Sequence, residues 1–321
     1  MLKEAKQQGL ATKHVVKDGA KGIAKGVELT FDAIEQRDDA FHAVYLAGKS
    51  RLKLENKAYR HIAYEADAQK KYLKSSPDNK RSLAKSLDWA KKKCAAAIDR
   101  YTLAVQAVQQ IRLAFCSVNF NTGELITADT AQQLLTQAVA TLRETQHHDC
   151  TRVALYLENR IKGLTLATSA IYQHLSALKS DYSDEAISLT CRIIERKRKL
   201  KKMNPWKRKQ VSKEMVGAYY LLCRELDEEG VNAIKATIEG LFQTRHMASS
   251  AIEGFNATLR SYLYVRKGVN QGFLELFKAW HNLRHRRWGR HQGTSAYELL
   301  SGKTVTDWLS LLGFPPTKIS H

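Results

Sequence analysis

From about residue 45 to residue 245, apolar residues recur three and four positions apart with few Gly or Pro between them, the spacing of amphipathic helices. Ser76-Pro77 supplies an N-cap and a first-turn proline. The pair opens a helix predicted to run through Leu83, Leu87, Cys94, Ala97, Ala104 and Val108 to about Phe115. Asn119 to Gly123 breaks the pattern. A second long segment extends from about Asp129 to Lys179, with an interruption near His147-His148 or Gly163, and Ser183-Asp184-Glu185 then caps a further helix through Ile193. This all-α block of roughly 200 residues is the size of a full domain.

The pattern is different at both ends. Residues 2–10 read as the tail of a helix closed by Gly9, and His14-Val15-Val16 as a short buried strand ending at Asp18. Asp18-Gly19-Ala20-Lys21-Gly22 puts a carboxylate at a strand end, with glycines that permit a tight turn. Taken alone it is an Asp-Gly turn. A second strand is predicted near Arg37 to His42, and within it Asp39 and His42 form a D-x-x-H pair. Beyond the block, Ser250 and Glu253 have the spacing of a capping box. Ile252, Phe255, Leu259 and Leu263 then make a core-facing stripe, with Glu253, Asn256 and Arg260 in a row on the adjoining face. After a break at Tyr264 to Gly268, Asn270 caps a helix that turns Phe273, Leu276, Phe277, Trp280 and Leu283 inward and ends in Arg284, Arg286, Arg287 and Arg290. A last short helix holding Trp308 and Leu311 stops at Gly313-Phe314-Pro315-Pro316.

Charge narrows the partner. The 321 residues carry a formal net charge of +20, with a sequence pI of about 9.7, and an excess of this size points to a polyanion, most simply nucleic acid. The run from Arg192 to Lys213 concentrates it, and Lys207, Arg208 and Lys209 read as phosphate contacts beside Trp206, which is either a base-stacking platform or a loop anchor. Five cysteines lack C-x-x-C spacing, so they suggest neither a zinc site nor a disulfide framework, and a reducing, cytoplasmic setting is expected. No leader-like n-region and no apolar stretch of membrane-spanning length is present in the sequence.

The run Ser249-Ser250-Ala251-Ile252-Glu253-Gly254-Phe255-Asn256-Ala257-Thr258-Leu259-Arg260, followed by an aromatic helix ending in N-x-R, resembles the C-terminal part of DDE transposases of bacterial insertion sequences. The resemblance continues in Gly293-Thr294-Ser295-Ala296-Tyr297-Glu298-Leu299-Leu300-Ser301-Gly302, with Ala296 where that family usually has proline. Val16-Lys17-Asp18-Gly19-Ala20 is similar to the segment carrying the family's second metal-binding Asp, and Asp39 and His42 are similar to its C/D-x-x-H motif. The resemblance implies a ribonuclease-H-like core with an insertion domain, DNA as substrate, and Asp18 and Glu253 as catalytic carboxylates binding Mg²⁺ or Mn²⁺. Asn256 and Arg260 are expected DNA contacts, and the basic end of the aromatic helix, Arg284, Arg286 and Arg287, suits a phosphate backbone, although cations at a helix C-terminus also complement the dipole. The Asp39–His42 pair is read as structural or DNA-positioning, not as a metal site.

The expected fold is therefore mainly α, a partial ribonuclease-H-like α/β core of about two strands interrupted by a large all-α insertion. The expected domains are residues 1–45 (core with the second Asp), 46–245 (insertion) and 246–321 (core with the Glu helix and basic tail). No aspartate precedes Asp18, so the family's first carboxylate, first three strands and helix-turn-helix have no counterpart in these residues. The resemblance thus implies a truncated or frame-split transposase, catalytically incomplete alone, whose partners are DNA, other transposase protomers or an upstream product. The alternative is a non-catalytic DNA-binding helical protein or transposase remnant.

Overall fold

Lys17, the last residue of a four-residue strand β1 (His14–Lys17), stands opposite Asp38, the last of β2 (Glu35–Asp38), and the two strands are parallel. Helix α1 (Lys21–Glu28) lies between them in the chain and buries Val27. The structure is a computed structural model that describes residues 14–17, 21–31, 34–200, 203–244, 250–265, 269–287 and 291–314. Of residues 21–24, 244, 250–256, 265 and 308 it describes the backbone alone. Among the described residues this pair is the only sheet, and the rest of the regular structure is helical. A mainly α chain is what the periodicity predicts. The second strand, however, ends at Asp38 and not at His42, because Asp39 caps the helix that follows.

That helix, α2 (Ala40–Leu73), forms a hairpin with α3 (Pro77–Ala114) through the short link Lys74–Ser76. Its seam is made largely of small residues: Ala43, Ala47, Ser50, Leu54 and Ala58 on α2 meet Ala90, Cys94, Ala97, Ala104 and Val108 on α3. Steps of three, four and seven are those of a coiled-coil seam, and alanines allow close approach of the two backbones. Between Tyr59 and Ser86 no residue is buried, and half-buried His61, Glu65, Ala68 and Tyr72 carry the same spacing onward.

Three helices complete the first core: α4 (Ala128–Glu144), α5 (His148–Glu158) and α6 (Ile161–Ala177). Ile111, Leu135, Leu142 and Leu157 are fully buried there. A second core lies under α7 (Asp184–Leu200), α8 (Pro205–Glu225) and α9 (Glu228–Thr244), around Ile187, Leu222, Ile234 and Ile238. Helix α6 belongs to both, giving Leu164 to the first and Ile171 and Leu175 to the second. The breaks that delimit α5 fall at residues 145–147 and 159–160. Gly163 therefore lies inside the first turn of α6 and does not interrupt the chain. No helix among the described residues is long and apolar enough to cross a membrane.

The chain divides into two compact units, Met1–Ser249 and Ser250–His321. The second contains α10 (Ser250–Val265), α11 (Gln271–Leu283), α12 (Ala296–Ser301) and α13 (Trp308–Leu311). Asn270 caps α11 by accepting from the Phe273 N–H at 2.9 Å. Tyr262 of α10 sits edge-on to Phe277 and Trp280 of α11, with ring centroids 5.4 and 5.7 Å apart. The predicted apolar stripes shift accordingly. Leu263 and Leu276 are exposed, and Tyr262, itself 41% exposed, lays its ring against the partner helix from a neighbouring position on the wheel.

Candidate functional site

The carboxyl ends of the two parallel strands gather the charged residues that the sequence singles out near the N-terminus. Asp39 is fully buried, and its Oδ1 accepts from the His42 backbone N–H at 3.0 Å, while its own N–H donates to the Lys17 carbonyl at 2.8 Å. The first half of the D-x-x-H pair is thus an N-cap that fastens α2 to the end of β1. The His42 ring stacks obliquely against Tyr156 of α5, with centroids 5.5 Å apart. Asparagine caps a helix as well as aspartate does, so Asp39→Asn should keep stability within about 0.5 kcal/mol of the parent, whereas Asp39→Ala should cost about 1–2 kcal/mol. Urea unfolding of both variants checks this. An alanine variant as stable as the parent would show that the cap does not hold the junction.

Asp38 is a carboxylate that the sequence reading passes over. Its side chain is 10% exposed and lies 3.8 Å from Arg160 Nε, the residue preceding α6. Burial raises its pKa, with Lys17 and Arg160 opposing the shift. The carboxylate rests against the first turn of α6 because Gly163 has no side chain there. A Cβ at Gly163 would lie 3.0 Å from Asp38 Cγ and 3.4 Å from its backbone nitrogen. Position suits charge, since the amino end of a helix is the favourable end for an anion.

Asp18 follows β1 directly and lies outside the described residues. Glu253 and Asn256 belong to α10, and their side chains, with the predicted Ser250–Glu253 capping box, also lie outside them. Arg260 on the same helix is exposed. Among the described residues no three His, Cys, Asp or Glu side chains form a group able to hold a metal ion.

The basic tail of α11 is partly used in packing. The Arg284 guanidinium stacks on Trp280 at 4.2 Å, Arg286 is half-buried with its backbone joined to Gly293 and Thr294, and Arg287 is exposed. Ser295 and Glu298 form the predicted capping box. Glu298 also accepts from the Val305 N–H at 2.8 Å, and its Oε1 lies 3.1 Å from His285 Nε2. The backbone donors at Val305 and Ser295 pull its pKa from 4.5 down to about 2. Because the folded pKa is depressed, the contribution is complete above the ordinary value and is lost as pH falls toward 2. The Val305 amide should therefore lose hydrogen-exchange protection over that interval in the parent. In Glu298→Gln this acid step should be absent, and an identical step there would assign it to another group.

The basic run divides into two parts. On α7, Arg196 pairs with Glu214 and lies over the Phe120 ring, Arg198 lies over Phe242, and Lys197 is 3.8 Å from Glu239. These cations are engaged within the fold. Asn204 caps α8, and Arg208 donates from Nε to the Leu200 carbonyl and from Nη2 to the Met203 carbonyl, both at 3.2 Å. It closes the end of α7 and remains exposed. Trp206, at 76% exposure, stands with Lys209, Lys213, Val216 and Tyr220 on the face of α8 opposite buried Ala218 and Leu222. Lys207 is exposed in the first turn, on the side of the helix that carries Ala218 three turns later. A helix with an exposed aromatic-and-lysine face has the composition of a nucleic-acid-binding surface.

No family model, curated protein or solved structure matches this chain.

Proposed function

We propose that this chain is part of a DNA-processing enzyme of the DDE transposase type, with residues of a partial ribonuclease-H-like core at either end of the helical block. The observation that carries the reading is the arrangement at the carboxyl ends of β1 and β2. In open parallel sheets ligands bind outside the carboxyl ends of the strands. Asp18 follows β1, Asp38 ends β2, and Asp39 comes directly after it as the cap of α2. The E-x-x-N-x-x-x-R row on α10 supplies the second support, and the exposed aromatic and lysine face of α8 the third.

In this reading Asp18 and Glu253 hold divalent cations, Asn256 and Arg260 position DNA from the face that carries Glu253, and Asp39 fixes the junction between sheet and helix. A bound Mg²⁺ or Mn²⁺ pair supplies activation of the attacking oxygen and stabilisation of the leaving one. Trp206, Lys207 and Lys209 hold DNA away from the reacting bond, and a cytoplasmic setting goes with the reading.

The test is strand transfer on labelled DNA of the element's ends, in Mg²⁺, with this chain alone and with the product encoded upstream. Turnover is expected only with both. Turnover by the chain alone that survives Glu253→Gln would overturn the assignment, and DNA binding with no turnover in any combination would leave the non-catalytic DNA-binding reading in its place.

A further inference from the structure

A groove of about 450 Å³ runs between α2 and α5, lined by Lys49, Lys53, Arg152, Arg160, Tyr156 and Asn159, among others. One end lies at the carboxyl edge of the sheet. Arg160 there is 3.8 Å from Asp38 and stacks on Tyr156 at 4.4 Å, and Tyr156 meets His42. From that end Lys49 and Lys53, which line the groove, and Lys57, one turn beyond its lining, follow one another at four-residue intervals along α2, all exposed. By the rise of an α-helix they stand about 6 Å apart, a spacing suited to successive phosphates of one strand. The groove is not uniformly positive: Asp149 lies 2.8 Å from Lys53 and neutralises it. Lys49, Lys57 and Arg152 have no carboxylate within ion-pair distance among the described residues.

We propose that this groove holds the sugar-phosphate backbone of a DNA strand leading away from the carboxyl edge of the parallel strands, with Lys49, Lys57 and Arg152 as its phosphate contacts. The inference rests on the DNA-processing reading above and adds a track that the sequence does not single out. His147, which precedes α5, senses the same field. Burial is the main cause of its lowered pKa. Asp149 opposes the shift, and Lys57, Lys53 and Arg100 push it lower still. Phosphates lying in the groove would offset those lysines and move the ring back toward its ordinary value.

The experiment compares the salt dependence of duplex binding for the parent, for Lys49→Ala/Lys57→Ala/Arg152→Ala, and for a charge-matched control, Lys70→Ala/Lys71→Ala/Lys74→Ala, far along the α2–α3 hairpin. The log–log slope should flatten by about 0.9 for each phosphate contact removed in the groove variant and change little in the control. Equal flattening in both overturns the groove and leaves DNA binding standing. A parent that does not bind DNA overturns the functional reading with it. A second readout needs no variant that might misfold: the His147 titration, followed by NMR in the parent, should move to higher pH when DNA is bound. A titration that DNA leaves in place overturns the proposal.

Discussion

In a strand-transfer reaction made competent by the upstream product, Glu253→Gln and Asp18→Asn should each lower the rate by more than about 10³-fold. That exceeds the loss of a single stabilising dipole, which is worth roughly 10²–10³. Both substitutions keep the size of the side chain and remove its charge, so they separate a structural role from a metal-holding one. A neutral amide is a poor ligand for a hard divalent cation, and a site short of one carboxylate positions the reacting groups badly as well as weakly. Asp39→Asn is the internal control. It also replaces a carboxylate by an amide near the same strand ends, yet it retains the cap, so its rate should stay close to the parent's. Rates for Glu253→Gln within about tenfold of the parent, which is only about 1.4 kcal/mol of barrier, would remove Glu253 from the chemistry.

The largest stability loss is expected at Glu195. This residue of α7 is 6% exposed, and its Oε1 accepts from both the backbone N–H and the hydroxyl of Ser117, at 2.7 and 2.6 Å. Ser117 is itself buried, in the loop that leaves α3, and its carbonyl accepts from the Ile126 N–H at 2.9 Å. The carboxylate therefore joins the loop between the first core's long hairpin and α4 to a helix of the second core. Glu195→Ala would strand two buried donors, each costing about 1–3 kcal/mol, so a total of about 3–5 kcal/mol is expected. Glu195→Gln keeps an acceptor and should cost about 1 kcal/mol. Urea midpoints of the two variants decide it, and an alanine variant within about 1 kcal/mol of the parent would show that solvent satisfies Ser117.

Glu195 also shows where the sequence stops being informative. Periodicity marks the helix and places Ile187, Cys191 and Ile194 inside. The acid, however, opens the run Glu-Arg-Lys-Arg-Lys, which reads as a solvated or DNA-facing stretch, and only docking of the Ser117 loop covers it. The same limit appears at Asp39. D-x-x-H fits a strand end and a helix cap equally, and the choice depends on the Lys17 carbonyl of a neighbouring strand. Local signals fared better. The Asn270 cap, the Ser295–Glu298 capping box and the Ser76-Pro77 start are each complete within a few residues, and each begins a helix where the sequence places it. Leu263 and Leu276 stand exposed where helical spacing alone turns them inward, and the rings of Tyr262, Phe273, Phe277 and Trp280 fill the contact between the two helices instead. Asp18 and the side chain of Glu253 lie outside the described residues, so their assignment rests on motif and order along the chain.

The far part of the α2–α3 hairpin, where nothing between Tyr59 and Ser86 is buried, constrains how this chain can vary over evolution. Its side chains fix no third element, so its length is free to drift, but only in steps. Removing seven residues from α2 and the facing seven from α3 returns every seam position to the same side of both helices. Removing three or four from one helix alone turns the remaining seam away from its partner. Length differences among relatives should therefore fall in paired multiples of seven on either side of the Lys74–Ser76 turn, while substitutions on the outward faces accumulate freely.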